Sequence, residues 1–499
     1  MLTVAAKRSE SLAIVDSTGN HTYSELLAES QRIAVALLDG RDDLDEARIG
    51  FLLPPGLPWV ATLWGIWRAG GVAVPLPLQS ARPELEYVIA DTGASALIAD
   101  ADIASALEAI AAERGVAMHR YSELCDNGST ALPTISEGRR AMILYTSGTT
   151  SKPKGGVTTH ANIASQVDSL IRAWEWTSSD RTVLCLPLHH VHGIINIVSC
   201  SLWSGASCEM LPRFDANIIW DRIASGAITV FMAVPTIYVR LIAAFDVTAP
   251  EQQQKLSAGA TRLRLMVSGS AALPVSTLER WREITGHTLL ERYGMTEIGM
   301  ALSNPLHGLR VPGTVGTPLP GVEVQLVDED GVPIPDSGPD SHSGEIEVRG
   351  PNVFAEYWGK PDATRDTFRE GWFRTGDTAV VENGVYRILG RTSIDILKTG
   401  GHKVSALEIE ETLRQHPAIA ECAVVGIADP EWGERIAAAV VLREDTTLDL
   451  AALRAWARES LTAHKLPSRL LVMDALPRNA MGKVVKPSLA PLFKASSQD

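Results

Sequence analysis

The chain has 499 residues, 45% hydrophobic and 21% charged, which is enough apolar material for more than one buried core and too much length for one ordinary domain. Its 59 acidic against 45 basic residues leave a formal charge of -14, which implies no basic surface and argues against nucleic acid or an anionic membrane as main partner. Five scattered cysteines, odd in number and without metal-ligand spacing, argue against a disulfide framework or zinc site and fit a reducing cytoplasm.

The opening "MLTVAAKRSESLAIVDSTGN" is apolar for only a few residues at a time, and no window approaches the roughly 18 apolar residues of a membrane span. A soluble chain without a signal peptide is expected. "RIGFLLP" (48–54) reads as a buried strand, "PWVATLWGIWRAG" as a helix and "GVAVPL" as the next strand; "SALIAD", "AMILYTSG", "TVLCLPL", "TVFMAV" and "RLRLMVSGS" repeat the theme. Several of these runs end in Gly, Ser, Thr or Pro, as buried strands do where they feed ligand-binding loops in an α/β layered body. Past about residue 320 the texture turns β-rich ("VEVQLVDEDGVPIPDSG", "GEIEVRG", "GVYRILGR"). From about 391 a compact unit follows, with "SALEIEETLRQH" and "DLAALRAWARESL" as helices and "AECAVVGIAD" and "IAAAVVLRE" as strands. The expectation is an α/β protein: a large N-terminal body of layered sheets and helices with a β-rich subdomain (1–390), plus a small, mobile α+β C-terminal domain (391–499). The tail "FKASSQD" carries no recognisable targeting signal.

One loop invites a chemical reading. In "YTSGTTSKPKGG" (145–156) a strand delivers the hydroxyls of Thr146, Ser147, Thr149, Thr150 and Ser151, the flexible Gly148, and, around Pro153, the cations Lys152 and Lys154. Hydroxyls and backbone N–H groups donate to phosphate oxygens and a lysine meets their charge. The spacing is not that of a P-loop, because the second glycine position falls on Pro153. Alone, the loop is read equally well as a polar surface turn.

"YGMTE" (293–297), "RTGD" (374–377), "GRTSIDILKTGGHKVSALEIE" (390–410) and "PRNAMGKVVK" (477–486) follow in order. With the loop they resemble the motif series of the adenylate-forming superfamily, which includes acyl-CoA synthetases, peptide-synthetase adenylation domains and luciferases. The resemblance implies an enzyme in which a carboxylate attacks ATP to give acyl-adenylate and pyrophosphate, and CoA then displaces AMP. Both partners of the first step are anions, so charge must be neutralised and the attacking oxygen held in line. By resemblance Lys483 bridges carboxylate and α-phosphate, Thr296 contacts the α-phosphate, and Glu297 holds Mg²⁺, a metal that favours hard oxygen ligands. Asp377 accepts the ribose hydroxyls with Arg391 assisting. Ser270 and Ala271 of "SGSAAL", together with Tyr293 and Gly294, lie against the nucleotide and acyl pocket. Gly401 of "KTGGHK" lets pantetheine pass close to the backbone.

The segments around the acid are "LPLHHVHG" (186–193), "VPTIYVRL" (234–241) and "LLERYGMTE" (289–297). Arg240 and Arg292 stand in otherwise apolar or motif-bound stretches, and two guanidinium groups in the pocket would ask for a second carboxylate. The run "ERYGMTEIGMALSNP" with "VPGTVGTPLPGVEV" resembles malonyl-CoA synthetases, which suggests malonate or methylmalonate. A structural pairing of Arg292 with adjacent Glu291 is the competing reading. "HHVHG" lacks zinc-site spacing, and the resemblance places a pocket-lining aromatic residue or histidine near here, so His190 is expected at the pocket rim and not as a metal ligand.

Three departures stand out: Ser151 where the superfamily has glycine, His189 where it has an aromatic residue, and one more residue between Arg391 and Asp395 than in the commonest "GR-x-x-D" form, which leaves the hinge residue open among Ser393, Ile394 and Asp395. An acyl-CoA synthetase for a monocarboxylate shares the same motifs. So does a stand-alone adenylation enzyme loading a carrier protein in trans.

Overall fold

Runs of β-branched and aliphatic residues bounded by turn residues form the central strands, and the longer amphipathic runs between them form helices that cover the sheets. The computed structural model describes residues 2–100, 103–125, 131–146, 152–335, 343–478 and 484–495. Among them no helix is long and apolar enough to cross a membrane.

The first sheet has seven strands in the order Glu356–Tyr357, Gly155–Thr159, Arg140–Tyr145, Val72–Pro75, Arg48–Leu52, Ala96–Ala99 and Ala117–Arg120. Its middle is parallel, and Gly155–Thr159 returns antiparallel to Arg140–Tyr145, so residues 146–154 form the connection at the sheet end. The second sheet has nine strands, running from Thr317–Pro318 through Gly299–Ser303, Leu290–Met295, Leu265–Ser268, Val230–Ala233, Arg181–Leu184 and Ser207–Met210 to Leu12–Asp16 and Gly19–Thr22. Leu265–Ser268 pairs in parallel with both Val230–Ala233 and Leu290–Met295, which sends Val234, Gly269 and Thr296 out at one edge. That edge is where an α/β sheet collects ligands. The helix Leu57–Arg68, with Trp59, Trp64 and Trp67 buried, lies in the apolar core that joins the two sheets.

A third sheet of six strands (Pro333–Ile334, Glu323–Val327, Gly344–Arg349, Trp372–Glu382, Phe368–Arg369 and Val385–Arg391) is antiparallel. The fourth holds His402–Ser405, Ile396–Thr399, Gly433–Leu442, Ile419–Asp429 and Arg469–Val472, and packs helices Ala406–Leu413 and Leu450–Ala457 over its own core. The architecture is therefore the expected α/β one, a large N-terminal body of sheets and helices with a β-rich part and a C-terminal domain.

One segment differs from its sequence reading. "VPTIYVRL" is an apolar stretch on paper, but Pro235 starts a helix, Pro235–Asp246, with proline at the position where no N–H is needed. Ile237, Tyr238 and Leu241 face the core while Val239 and Arg240 are exposed.

Candidate active site

Thr146 and Lys154 close the base of the hydroxyl-rich loop, since the Thr146 N–H and Oγ1 both donate to the Lys154 carbonyl, at 3.0 and 3.3 Å. Ser147, Gly148, Thr149, Thr150 and Ser151 lie outside the described residues. Beyond them, both lysines lie over tyrosine rings, Lys152 Nζ 5.7 Å from the centroid of Tyr87 and Lys154 Nζ 4.1 Å from that of Tyr357. Such contacts hold a cation in place while leaving its charge available. The Tyr87 hydroxyl also donates to the Pro153 carbonyl at 2.7 Å, tying the loop exit to helix Arg82–Thr92.

Tyr357 joins this loop to the next motif. Its strand pairs with Gly155–Thr159, and its hydroxyl donates to Glu297 Oε1 at 2.7 Å. Thr296 packs where a side chain on Gly156 would stand, with its Cγ2 3.2 Å from that Cβ position. Thr296, Glu297 and Lys154 therefore share one corner. Glu297 is buried and its Oε2 takes no hydrogen bond among the described residues. Those residues contain no cluster of three metal-ligating side chains, so a divalent ion here would have one carboxylate from the protein and fill its shell with phosphate oxygens and water, as magnesium does. The donor chemistry fits.

Asp377 faces the same corner from the third sheet. It is buried, its Oδ2 accepts from the Tyr293 hydroxyl at 2.6 Å, and Arg391 Nε lies 3.2 Å from its Oδ1. Asp377 and Arg391 are direct cross-strand partners, which fixes the pair through the backbone. Burial raises the Asp377 carboxyl above its ordinary range, against the opposing pull of Arg391 and Tyr293. Gly294 has its Cβ position 2.0 Å from the Gly299 carbonyl oxygen, so any side chain there would break the hairpin that carries Thr296 and Glu297.

A second cluster centres on Arg292. Its residue is 3% exposed, its Nη2 donates to Ser270 Oγ at 3.3 Å, and its Nε has no partner. No carboxylate pairs with it among the described residues. Glu291, the competing partner, points to the opposite face of the strand and accepts the Gly313 N–H at 3.0 Å. Burial alone lowers the Arg292 pKa to about 9. Ser270, held at φ +71 in the left-handed region, also meets His192 Nδ1 at 3.1 Å. Arg292 donates to the Ser270 hydroxyl oxygen, whose hydrogen and second lone pair let it either donate to or accept from His192 Nδ1, according to the tautomer of the ring. His192 Nε2 is buried and has no hydrogen-bond partner among the described residues. Burial, Arg292 and His190 all hold the ring uncharged.

His192, not His190, thus belongs to this cluster. It opens the π-helix His192–Ser199, and nothing in "HHVHG" distinguishes one ring from the other before the chain is folded. His190 is half-buried, and its ring lies tilted against that of His189, 4.0 Å between centroids. Arg240 is not brought into the cluster either: its guanidinium lies 4.4 Å over the Phe214 ring, exposed, with no ion pair among the described residues. Ala271 is exposed beside Ser270. Gly401 adopts φ +81 and has nothing within 4 Å of its Cβ position, whereas the Cβ position of Gly400 meets the Trp432 ring at 2.9 Å. Lys483 lies outside the described residues.

With this geometry in place, comparison with known proteins fixes the class. Residues 2–358 match the AMP-binding enzyme family and residues 408–483 match the AMP-binding enzyme C-terminal domain, and the chain belongs to that family of AMP-forming acid–CoA ligases. It is 46% identical to the mitochondrial malonate–CoA ligase ACSF3 of Mus musculus, over 98% of this chain and 89% of that protein. It is 41% identical to a malonate–CoA ligase of Arabidopsis thaliana, over 97% of this chain and 86% of that protein. The crystal structure of ATP-bound MatB from Rhodopseudomonas palustris superposes with a TM-score of 0.89 at 34% identity, covering 100% of both chains.

Proposed function

We propose that the protein is a malonate–CoA ligase: it condenses malonate with ATP to malonyl-adenylate and pyrophosphate, then transfers the malonyl group to CoA with release of AMP. The observation that carries the substrate is Arg292, a buried guanidinium with no carboxylate partner and no hydrogen bond at Nε among the described residues, beside the buried and likewise unpartnered Nε2 of His192. A buried charge left unpaired is expensive, and a ligand carboxylate supplies what the fold leaves out. Arg240, exposed over Phe214, is proposed as a second contact to the same carboxylate at the pocket mouth, and His190 as a rim residue.

In the proposed mechanism the hydroxyls and backbone of 146–151, with Lys152 and Lys154, hold the phosphates, and Asp377 with Arg391 holds the ribose. Tyr293, Gly294, Ser270 and Ala271 flank the adenine and acyl pocket. Thr296 donates to the α-phosphate. Glu297 would hold Mg²⁺, which when bound neutralises phosphate charge. Lys483 places its ammonium between the incoming carboxylate and the α-phosphate, so that two anions approach in line. Gly401 gives pantetheine a path along bare backbone.

We place the division between the N-terminal unit (1–390) and the C-terminal unit (391–499) at Arg391. The strand ending there belongs to the third sheet and the next, Ile396–Thr399, to the fourth. All five cysteines are free and four are buried, which supports a reducing compartment; we propose the cytoplasm, although the murine relative is named as mitochondrial. The acceptor is CoA rather than a carrier protein.

The test is product analysis with ATP, MgCl₂, malonate and CoA. Malonyl-CoA, AMP and pyrophosphate in equal amounts are expected. ADP in place of AMP, or no thioester formed on CoA, would overturn the assignment.

A further inference from the structure

Lys486 is a buried titratable group that the mechanism above does not use. Its side chain is 10% exposed, and its Nζ meets two carboxylates, Asp395 Oδ1 at 2.5 Å and Glu410 Oε1 at 2.6 Å. Burial by itself would lower its pKa, but the two acids outweigh that and hold the ammonium charged. Glu410 is anchored independently, since its Oε1 also accepts the Val424 N–H at 2.8 Å and its Oε2 pairs with Arg414 at 3.0 Å.

Asp395 is the unusual partner. Its Oδ2 accepts the backbone N–H of Arg391 at 2.9 Å, its own N–H donates to the Arg391 carbonyl at 2.7 Å, and a side chain on Gly390 would collide with its Cβ at 2.3 Å. Arg391 in turn pairs with Asp377. A continuous run of charge-assisted contacts therefore leads from Asp377 through Arg391 and Asp395 to Lys486. Lys486 follows the end of a loop whose flanks are tied together: Arg478 bridges Val484, and the Val485 N–H donates to the Pro477 carbonyl at 2.8 Å. Lys483 belongs to that loop by sequence.

We infer that Lys486 is a positioning residue for adenylation: its tether to Asp395 fixes the base of the Lys483 loop relative to the Asp377–Arg391 pair. The inference rests on Lys483 and Asp377 acting as proposed above. A single buried ammonium held by one carboxylate from the interdomain connection and one from helix Ala406–Leu413 gives the loop base a fixed distance from the nucleotide. A surface lysine could not do this, because an exposed pair is screened and its side chains wander. Thiolation needs no such register, since the α-phosphate bond has already formed.

The experiment separates the two half-reactions. Malonate-dependent ATP–pyrophosphate exchange reads adenylation, and conversion of supplied malonyl-adenylate and CoA to malonyl-CoA reads thiolation. Asp395→Asn keeps an oxygen for the Arg391 N–H but turns an amide donor toward Lys486, while the Lys486–Glu410 pair survives. Lys486→Gln removes the charge itself, and where it fails to fold Asp395→Asn decides. Exchange lowered by at least about tenfold, with thiolation held within about threefold of wild type, is expected from a displacement of this kind. Exchange within about threefold of wild type, or both half-reactions falling together, would overturn the inference. Lys483→Ala is run alongside: exchange surviving in that variant would refute the role of Lys483 itself, whereas exchange lost there but kept in Asp395→Asn refutes only the tether.

Discussion

Arg292 and Glu291 are neighbours on one strand and have opposite tasks, because alternate residues face opposite sides of a sheet. Arg292 faces Ser270 and His192, with no acid paired to it among the described residues, so truncating it removes the buried charge of that cluster. Arg292→Ala is expected to raise the KM for malonate by about two to three and a half decades, from the roughly 3–5 kcal/mol that losing one partner of a buried pair costs. The KM for ATP should move little; initial-rate kinetics in both substrates check this. Glu291 faces Gly313, and burial pushes its carboxyl up to about 8 from an ordinary 4.5. Because the folded pKa is the higher one, its stabilising contribution is complete below about 4.5 and is lost as pH rises to about 8. Urea midpoints should fall across that window in the wild type and fall less in Glu291→Gln, whose side-chain oxygen still accepts the Gly313 N–H.

Among the elements, helix Arg82–Thr92 reaches the segment around Lys152 and Pro153 through the ring and hydroxyl of Tyr87. Tyr87→Phe keeps the ring under Lys152 and removes the bond to the Pro153 carbonyl. A net hydrogen bond of about 0.5–1.5 kcal/mol corresponds to a rise of roughly 2- to 12-fold in the KM for ATP, with the malonate KM unchanged, read by initial rates. Parallel strands and their following loops were legible from the sequence because several apolar runs end at Gly, Ser, Thr or Pro, as at Ser268 and Thr146. The motif residues Thr296, Glu297 and Asp377 were legible by resemblance. What the sequence hid are partners far apart in the chain. Tyr357 meets Glu297 across 60 positions and Lys486 meets Asp395 across 91, and no local periodicity records either. The placement of Arg240 on an exposed helix face was hidden for a different reason. The apolar spacing of "VPTIYVRL" also suits an amphipathic helix, and Pro235 settles that choice in favour of the helix, which turns Arg240 outward.

For the whole molecule, the layout accounts for how the proposed site would receive two anions. The first sheet delivers the phosphate loop, the second delivers Ser270, Arg292, Thr296 and Glu297 at its strand ends, and the third delivers Asp377 and Arg391. Each group is held by a different layer, so charge can be concentrated where the layers meet while the protein as a whole stays strongly acidic, at -14. What favours a dicarboxylate at the proposed site is the buried Arg292 guanidinium, whose Nε has no partner among the described residues. The most direct measurement is therefore the ratio of kcat/KM for malonate to kcat/KM for butyrate, a monocarboxylate of similar size, followed by pyrophosphate release in the presence of CoA. The account predicts a preference for malonate of at least about two decades, the discrimination expected when a buried charge is left unpaired by the wrong substrate. Equal values, or a preference for butyrate, would contradict it.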